Sequence, residues 1–572
     1  MSFYDDASLV FLPSGGAGKD TKAYSIKPTD GSGDFTFSRG SNLTATRVDS
    51  NGLIEKGREN LLLQSNQFDT TWTTSNASVT SGQSGYDGST DAWLLEADSD
   101  GSGRRVQQSK TQGGVATLSI YAKAGTTDWL RIEFGGAASL VYFDLTNGVL
   151  GSETNAIGKI ESVGNGWYRC SAVNTGGSTP TTMRYHLASD NNNITAVTGD
   201  NIYIQDAQLE QGLVATEYIE SGATTGKAGL LEDSPRFDYS GGASCPSLLL
   251  EPSRTNLIGY SEYANGSGWV IVSSGTIVDN VDTSPEGVVN AFSFETTTFG
   301  ALRYNVTLAT STTYTFSFYA KNVDATIANY RVFDITNSSD LVSQTSYFSQ
   351  ISTSEWSRIE FSFTTNATST LYGVYPTSGN QNGTIQFYGA QLEQASYSTS
   401  YIPNHSGGSE TRNADECTKT SISGLIGQTE GTIYCEFEYN GAADSGVFNR
   451  IIGLGTGVTQ NRILLAKNDT TAELVAFAVT GGTTQVFQAI ATTSIIGRHK
   501  VAMSYKANEY KVYLDGQLKF TDTSASVPAT TDVYIGTAED GTTNNELGGV
   551  VKQSIIYKEV LSEDNCKALT TL

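Results

Sequence analysis

Aromatic residues are the groups in this chain whose chemistry most clearly suits the binding of a ligand. Pyranose sugars present apolar C–H faces that stack on aromatic rings, while amide and charged side chains orient the hydroxyl groups. Trp93 and Trp129 are candidates for such stacking, because the matching positions of a second, similar segment carry no Trp. Further candidates lie on predicted strands: Tyr142, Tyr185, His186, Arg303, Tyr304, Tyr372 and Tyr375. The sequence therefore predicts carbohydrate-binding faces, although aromatic residues pack in a core more often than they bind a ligand.

Acidic residues with catalytic spacing are not evident. A glycosidase needs two carboxylates about 5 to 10 Å apart across a cleft. Glu436-Phe437-Glu438 begins the spacing E-x-D-x-x-E, but Gly441 stands where the third acid belongs, so a solvated strand face is the favoured interpretation. The three histidines are scattered, and no nucleophile–base arrangement can be recognised. We therefore expect no catalytic residue and no enzyme.

One segment resembles the opening of a calcium-binding loop. Asp98-Ser99-Asp100-Gly101 has the acidic spacing, but the later Glu of such loops is missing. A turn is the favoured interpretation, and a surface Ca²⁺ is left open. We expect no other metal site and no cofactor.

Composition excludes several classes of partner. The net charge of −24 would repel phosphate, so nucleic acid is not an expected partner. No apolar run is long enough for membrane insertion, and residues 1–6 lack the features of a secretion signal, so we expect synthesis in a cytoplasm. The five cysteines have no C-x-x-C spacing, which predicts buried free thiols: Cys170, Cys245, Cys417, Cys435 and Cys566.

The candidate residues are carried by a duplicated segment. Three runs recur in the same order: residues 60–65 with 256–261, 119–123 with 317–321, and 207–211 with 390–394. Paired residues within or near these runs are predicted to be structural: Trp72 with Trp269 and Trp167 with Trp356 in the cores, and Gln208 with Gln391 and Glu210 with Glu393 beside backbone groups.

Strand-length alternation and frequent turn signals predict an all-β chain of tandem jelly-roll or β-sandwich domains with a C-terminal concanavalin A-like sandwich. The predicted divisions are an N-terminal β-ribbon for attachment at 1–58, repeat one at 59–220, a connector at 221–254, repeat two at 255–410 and the last sandwich at 411–572. Within the last part, Asp515-Gly516 predicts a hairpin turn, and Ser562 is predicted to cap a helix that runs to about Leu569.

Three patterns carry a resemblance to bacteriophage virion proteins of the fibre and appendage kind. The patterns are Gly-Ala-Gln-Leu-Glu at 389–393 with 399–403 and 411–415, Phe-Asp-Leu-Thr-Asn-Gly at 143–148 with 164–169, and the run at 246–257. Both repeats resemble carbohydrate-binding-module-like jelly rolls, and the last domain resembles concanavalin A-like or laminin-G-like sandwiches through 513–516 and 547–557.

The resemblance implies a structural component of a virion, as a fibre, spike or decoration protein. Such a protein would have other virion proteins and host-surface polysaccharide as partners, and it would bind glycans without turnover. A homo-oligomer, with a trimer as the expectation, follows by analogy alone. Two alternatives stay open: a glycan depolymerase on a tailspike, and a purely architectural cement protein without a ligand.

Overall fold

The computed structural model describes residues 3–13, 22–40, 43–175, 178–240, 244–441, 448–468, 470–471, 473–490, 494–541 and 545–572. The first part of the chain contains short elements: α1 (Phe3–Asp6), β1 (Leu9–Phe11), β2 (Lys22–Ala23), β3 (Ser25–Lys27), β4 (Phe35–Ser38), β5 (Thr46–Val48) and β6 (Ile54–Asn60). Within the described ranges, no helix is long and apolar enough to cross a membrane.

Repeat one is a sandwich of two antiparallel sheets. Its strands are β7 (Thr73–Ser75), β8 (Ala77–Gln83), β9 (Ala92–Ala97), β10 (Gly101–Ser102), β11 (Arg105–Ser109), β12 (Ala116–Ala124), β13 (Trp129–Gly135), β14 (Ser139–Asp144), β15 (Val149–Thr154), β16 (Ala156–Gly164), β17 (Trp167–Asn174), β18 (Thr182–Ala188), β19 (Thr195–Ala196) and β20 (Asn201–Gln211). One sheet has the order β15-β14-β13-β18-β11-β7 and the other β16-β17-β12-β20-β9-β8. Buried side chains of both sheets form one core.

Repeat two is built in the same way from fewer described strands. After a connector with β21 (Gly226–Gly229), β22 (Arg236–Asp238), β23 (Ser247–Leu250) and β24 (Arg254–Asn256), its strands are β25 (Trp269–Val272), β26 (Thr276–Thr283), β27 (Val289–Thr296), β28 (Gly300–Thr307), β29 (Thr313–Asn322), β30 (Asn329–Asp334), β31 (Ser339–Ser346), β32 (Ser357–Thr364), β33 (Leu371–Gly379) and β34 (Gly383–Glu393). The two sheets have the orders β25-β28-β33-β30-β31 and β26-β27-β34-β29-β32. Phe348–Gln350 forms a 3-10 helix before β32.

The C-terminal sandwich contains β35 (Glu410–Arg412), β36 (Glu416–Lys419), the 3-10 helix Ser423–Leu425, β37 (Glu430–Tyr439), β38 (Arg450–Gly455), β39 (Arg462–Lys467), β40 (Leu474–Thr480), β41 (Thr483–Ala489), β42 (Gly497–Lys506), β43 (Glu509–Leu514), β44 (Gln517–Asp522), β45 (Asp532–Ile535), β46 (Gly549–Tyr557) and α2 (Glu563–Thr570). β35 itself pairs with β24. The predicted hairpin turn at Asp515-Gly516 is confirmed between β43 and β44, and the Ser562 side chain caps α2 by accepting from the Asn565 N–H, as predicted.

Strands from the start of the chain complete this last sandwich. β1 pairs with β46, with Phe11 opposite Ser554, and β4 pairs with β36, with Phe37 opposite Cys417. Connector strands β22 and β23 continue the sheet of β46. The apolar side chains of these strands, such as Phe35 and Leu248, are buried in the same core. The structure therefore differs from the predicted separate ribbon at 1–58, because alternate apolar residues there need a partner core.

Residues from the start of the chain, from the connector and from the segment that begins the C-terminal sandwich meet in a buried ionic network. Arg236 of the connector contacts Asp415 and donates to Glu251 at 2.6 Å, and Arg39 donates to the other oxygen of Asp415 at 3.0 Å. Arg412 lies 2.9 Å from Glu251. Burial alone would raise the pKa of Glu251, but Arg412 and Arg236 hold it well below its usual value. Several of these residues belong to the runs at 246–257 and 411–415, so these motifs join the domains.

The cysteines are free, and four of them are buried as predicted. Cys245 is exposed, so the prediction is wrong for that residue. It lies in the turn before β23, where no core covers it.

Candidate ligand-binding faces

In each repeat, a buried asparagine at the same position joins separate strands of that repeat. The amide nitrogen of Asn60 donates to the carbonyls of Ala207 and Ile219, at 3.0 and 2.9 Å. Asn256 makes the same two bonds in repeat two, to Ala390 and Ile402, at 3.1 and 2.9 Å. Both asparagines are fully buried, and each also accepts two backbone N–H bonds. A buried side chain with every polar atom bonded fixes where the strands meet.

The predicted structural role of the paired Gln and Glu residues is confirmed. Gln208 donates to Glu210 at 2.6 Å and accepts from the Ile219 N–H at 2.6 Å. Gln391 repeats these bonds with Glu393 and Ile402, at 2.7 and 2.6 Å.

The paired tryptophans also pack largely as predicted. Trp72 and Trp269 are buried in the cores of their repeats. Trp167 is buried beside Tyr121, whereas Trp356 is half-buried and donates to the carbonyl of Thr283 at 2.9 Å.

Four of the predicted sugar-binding residues lie in the cores. Trp93 and Tyr185 belong to the core of repeat one, and Tyr304 and Tyr372 to that of repeat two. The indole of Trp93 donates to the Asn66 carbonyl at 3.0 Å. Neighbouring side chains cover these rings, so no ring face is open to a ligand. This placement corrects the predicted role of these four residues.

The other five predicted residues lie on sheet faces that point away from the cores. Side chains along a strand alternate between the two faces of a sheet. Leu130, Ile132 and Phe134 of β13 are in the core, so Trp129 faces outward. The same alternation places Tyr142, His186, Arg303 and Tyr375 on outward faces.

The outward face of repeat one is a row of side chains across four neighbouring strands. His186 of β18 lies opposite Arg105 of β11 and Arg131 of β13, and Arg131 lies opposite Tyr142 of β14. In the adjacent row, Arg184 lies opposite Glu133. Residues directly opposite each other on one face are in contact distance. We call this set the basic face: Arg105, Arg131, Glu133, Tyr142, Arg184 and His186.

The basic face has three guanidinium groups and one carboxylate, and that carboxylate pairs with two of them. Glu133 accepts from Arg184 at 2.8 Å, pairs with Arg131, and lies 3.0 Å from Nε2 of His186. Arg105 donates instead to the side chain of Gln107 at 2.7 Å and to the Gly103 carbonyl. With neutral His186, the face therefore carries an excess of two positive charges in an acidic protein.

Local sterics position the arginines over the sheet. A Cβ at Gly135 would come within 2.5 Å of the Arg184 guanidinium carbon, so the glycine lets that group lie flat on β13. The guanidinium carbon of Arg131 lies 5.8 Å from the Tyr142 ring centroid. Burial lowers the pKa of His186 well below its usual value, and the neighbouring arginines lower it further, so the imidazole is neutral at physiological pH.

Repeat two has an outward face with a different composition. Arg331 of β30 lies opposite Tyr375 of β33, as Arg131 lies opposite His186 in repeat one. Arg303 donates to the Tyr375 hydroxyl at 3.1 Å, and Arg331 lies over both Tyr375 and Phe333, at 5.6 and 4.6 Å. Arg331 also pairs with Asp340 at 2.5 Å. We call this set the aromatic face: Arg303, Arg331, Phe333, Asp340 and Tyr375.

Sequence reasoning missed most charged members of both faces. Arg131 and Glu133 alternate with core residues on the strand that begins at Trp129, and Arg184 lies two residues before His186. This period of two was the available signal, because residues two apart on a strand share a face. The cross-strand approach of Arg105 could not be found in this way, since it depends on strand order.

The candidate calcium loop is occupied by an arginine side chain. Arg104 donates to the carbonyls of Ser99 at 2.8 Å and Ser102 at 2.6 Å, and also contacts the carbonyl of Asp100. A cation there would compete with a guanidinium for the same oxygens. In the parts of the chain that the structure describes, no group of three or more His, Cys, Asp or Glu is placed to hold a metal ion.

The acidic residues weighed for catalysis are held in ion pairs. Glu436 is buried beside Arg498, at 2.6 Å, and the half-buried Glu438 lies 3.4 Å from Lys552. The solvated strand face predicted for this pair is thus wrong for Glu436, because Arg498 covers it.

A second acidic pair lines a cavity of about 240 Å³ between the repeats. Lys56 lies 3.3 Å from Glu262 and 3.0 Å from Glu286. Burial would raise the pKa of Glu262, but Lys56 and His405 lower it to about 2. A general acid needs a raised pKa, so Glu262 does not suit that role.

One family model matches a part of the chain near its C-terminus. Residues 421–566 match the model Laminin_G_3, described as the concanavalin A-like lectin/glucanases superfamily. The chain is therefore all-β, with a concanavalin A-like sandwich near its C-terminus, as predicted. No curated protein matches the chain.

Several solved structures resemble parts of the chain. The Ruminococcus gnavus IT-sialidase CBM40 bound to α2,3-sialyllactose is 19% identical, covers 27% of this chain and 91% of its own, and has a TM-score of 0.23. Domain 4 of AbnA, a GH43 extracellular arabinanase from Geobacillus stearothermophilus in complex with arabinotriose, is 15% identical, with coverages of 28% and 73% and a TM-score of 0.23. At such TM-scores the likeness carries no argument about ligand or activity.

Proposed function

We propose that this protein is a structural component of a bacteriophage particle that binds host-surface carbohydrate without turning it over. The observation that carries the binding role is the pair of outward faces. In both repeats a corresponding strand holds an arginine beside an aromatic ring of a neighbouring strand. Arg131 of β13 lies beside Tyr142 of β14, and Arg331 of β30 lies beside Tyr375 of β33. Rings and guanidinium groups held on a rigid sheet suit the C–H faces and hydroxyls of sugars.

The faces are shallow, so a single site binds weakly. Many copies on one particle turn weak sites into strong attachment, because the second binding event becomes intramolecular. The match of residues 421–566 to a superfamily of lectins and glucanases supports a third carbohydrate-binding surface. The placement in a virion, with other virion proteins and copies of this chain as partners, rests on the motif resemblance, and a trimer is part of the proposal on that ground.

A glycan array tests the binding role. The intact chain is expected to bind a subset of glycans, and Trp129→Ala together with Arg331→Ala is expected to remove most of the signal on the repeats. Phe299→Ala is the matched control, because that ring is exposed in the loop between β27 and β28 of repeat two and belongs to neither outward face. Unchanged thermal unfolding shows that the variants are folded.

Three results would overturn parts of the proposal. An array without any bound glycan would favour a purely architectural protein. Release of reducing sugar ends from a bound polysaccharide would favour a depolymerase. If mass spectrometry does not detect this polypeptide in purified phage particles, the virion assignment is contradicted.

A further inference from the structure

We infer that the basic face of repeat one selects acidic carbohydrate, that is, glycans with carboxylate groups on their sugars. The inference rests on the proposed function and adds the class of ligand. It does not extend to the aromatic face of repeat two.

The positive charge of the basic face is not balanced. Arg131 and Arg184 are only 12% and 27% exposed at their side chains, and among the described residues Glu133 is the carboxylate that pairs with them. Arg105 shares the same row, and its pKa is lowered by burial and then by Arg184 and Arg131. Cations held close together and partly out of water are destabilised unless an anion joins them. A ligand carboxylate would supply that anion.

Two arginines of the basic face have unused hydrogen-bond donors. The Nε atoms of Arg131 and Arg184 are buried and have no hydrogen-bond partner among the described residues. A planar guanidinium binds a carboxylate through two parallel N–H bonds, so small rotations of these arginines toward a ligand would use donors that now bond to nothing.

The net negative charge of the protein does not prevent an acidic ligand from binding at the basic face. The net charge of −24 opposes an acidic polymer at long range. At physiological ionic strength, charges more than about 8 Å away are largely screened, whereas groups in contact are screened far less. The local excess of guanidinium groups therefore governs binding at this face.

Repeat two lacks the residues that create this excess. Register places Phe333 where repeat one has Glu133, Gly373 where it has Arg184, and Tyr375 where it has His186. Its remaining arginines lie on rings or pair with Asp340. This face carries an excess of one positive charge rather than two and presents mainly aromatic surface, so we assign it to neutral sugars.

Isothermal titration of the full chain with hexagalacturonate tests the inference. Fully methyl-esterified hexagalacturonate is the matched ligand, because the ester keeps the sugar and removes the charge. We expect binding of the acid and an affinity for the ester that is weaker by about tenfold or more, which corresponds to one lost charge-assisted hydrogen bond. Equal affinity for the two ligands would overturn the inference.

Variants locate the site. Arg184→Gln and, separately, Arg105→Gln are expected to weaken hexagalacturonate binding by about tenfold, and Arg184→Lys by less, because it keeps the charge but not the planar fork. Lys159→Gln is the control, since it removes one charge from an exposed side chain on the opposite sheet of the same repeat. If Lys159→Gln weakens binding as much as Arg184→Gln does, the effect is bulk charge and the inference fails.

Two further arms separate the alternatives. Competition by millimolar inorganic phosphate that abolishes hexagalacturonate binding would show a general anion site and overturn the selection of carbohydrate. Binding of neutral glycans on the array without binding of hexagalacturonate would contradict this inference and leave the proposed function standing. Binding of neither would contradict both.

Discussion

Inside the two repeats the same polar residues make the same hydrogen bonds, whereas the outward faces share an arginine on each of two corresponding strands and little else. Asn60 and Asn256 bridge the same carbonyls at distances that differ by about 0.1 Å. On the outward faces, His186 and Glu133 of one repeat correspond to Tyr375 and Phe333 of the other. Internal side chains must bond to buried backbone groups, so few residue types are tolerated there. Outward side chains contact only solvent or a ligand, so more residue types are tolerated. A common framework therefore carries two outward faces of different composition.

The largest expected effect concerns the common framework. Asn60→Leu and Asn256→Leu should each lower the free energy of unfolding of their repeat by about 3 to 5 kcal/mol, because four buried backbone groups lose their partner. Urea unfolding of the full chain, followed by fluorescence, measures the two losses.

An exposed asparagine provides the control for the two buried ones. Asn51→Ala changes an exposed turn residue and should alter stability by less than about 0.5 kcal/mol. A large loss for one asparagine and a small loss for the other would show that the frameworks are not equivalent.

A titrating group distinguishes the frameworks at one position. Asp206 and Gly389 both have positive φ, at 54° and 63°, in the strand just before the recurring Ala-Gln-Leu-Glu-Gln run. Burial raises the pKa of Asp206 to about 6 from 3.8, so the folded state binds more protons than the unfolded state between these values, and stability falls as pH rises through that window. Asp206→Gly should therefore raise the free energy of unfolding of repeat one by about 1 to 2 kcal/mol at pH 7.5 and little at pH 4.

Thermal unfolding at the two pH values measures this effect. Asn76→Gly is the control, because Asn76 has a positive φ of 49° without an ionisable group, and its effect should not depend on pH. A change at Asp206 of equal size at both pH values would contradict the role of the carboxyl group.

The difference between the faces can be transplanted. Phe333→Glu, Gly373→Arg and Tyr375→His together give repeat two the outward residues of the basic face. We expect the number of hexagalacturonate sites per chain to double in isothermal titration, with affinities within about tenfold of each other. An unchanged stoichiometry in a folded variant would show that the basic face needs more than these residues.

The smallest expected effect concerns calcium. Arg104 occupies the carbonyls of the loop at 98–101, so removal of Ca²⁺ with EDTA should shift the melting temperature of repeat one by less than about 1 °C. Differential scanning calorimetry with and without excess CaCl₂ measures the shift. A clear calcium-dependent rise would place an ion in the loop and refute the structural role of Arg104.

The internal framework was predictable because its residues recur in the sequence. A recurring Asn, Gln or Glu at matched positions indicates a constraint that acts on both copies, and the structure confirms that role for Gln208 and Glu210. The all-β class followed from the period-two burial of strands such as β13, whose buried residues alternate with outward ones.

The basic face and the true extent of the last sandwich were beyond the sequence pattern. Arg105 reaches His186 only because β11 pairs with β18, and strand order is not written in local periodicity. Trp93 and Tyr185 have the composition of a sugar platform, yet alternation along their strands places them in the core. The pairing of β1 with β46 joins residues more than 500 positions apart, which no local signal predicts.

Hydrogen–deuterium exchange of the full chain, with and without hexagalacturonate, tests the central claim most directly. Selective binding at the basic face predicts slower exchange within 129–135 and 182–188 and unchanged exchange within the corresponding strands of repeat two, 329–334 and 371–379. Equal protection of both repeats, or protection confined to the C-terminal sandwich, would contradict the claim that one framework carries two different binding faces.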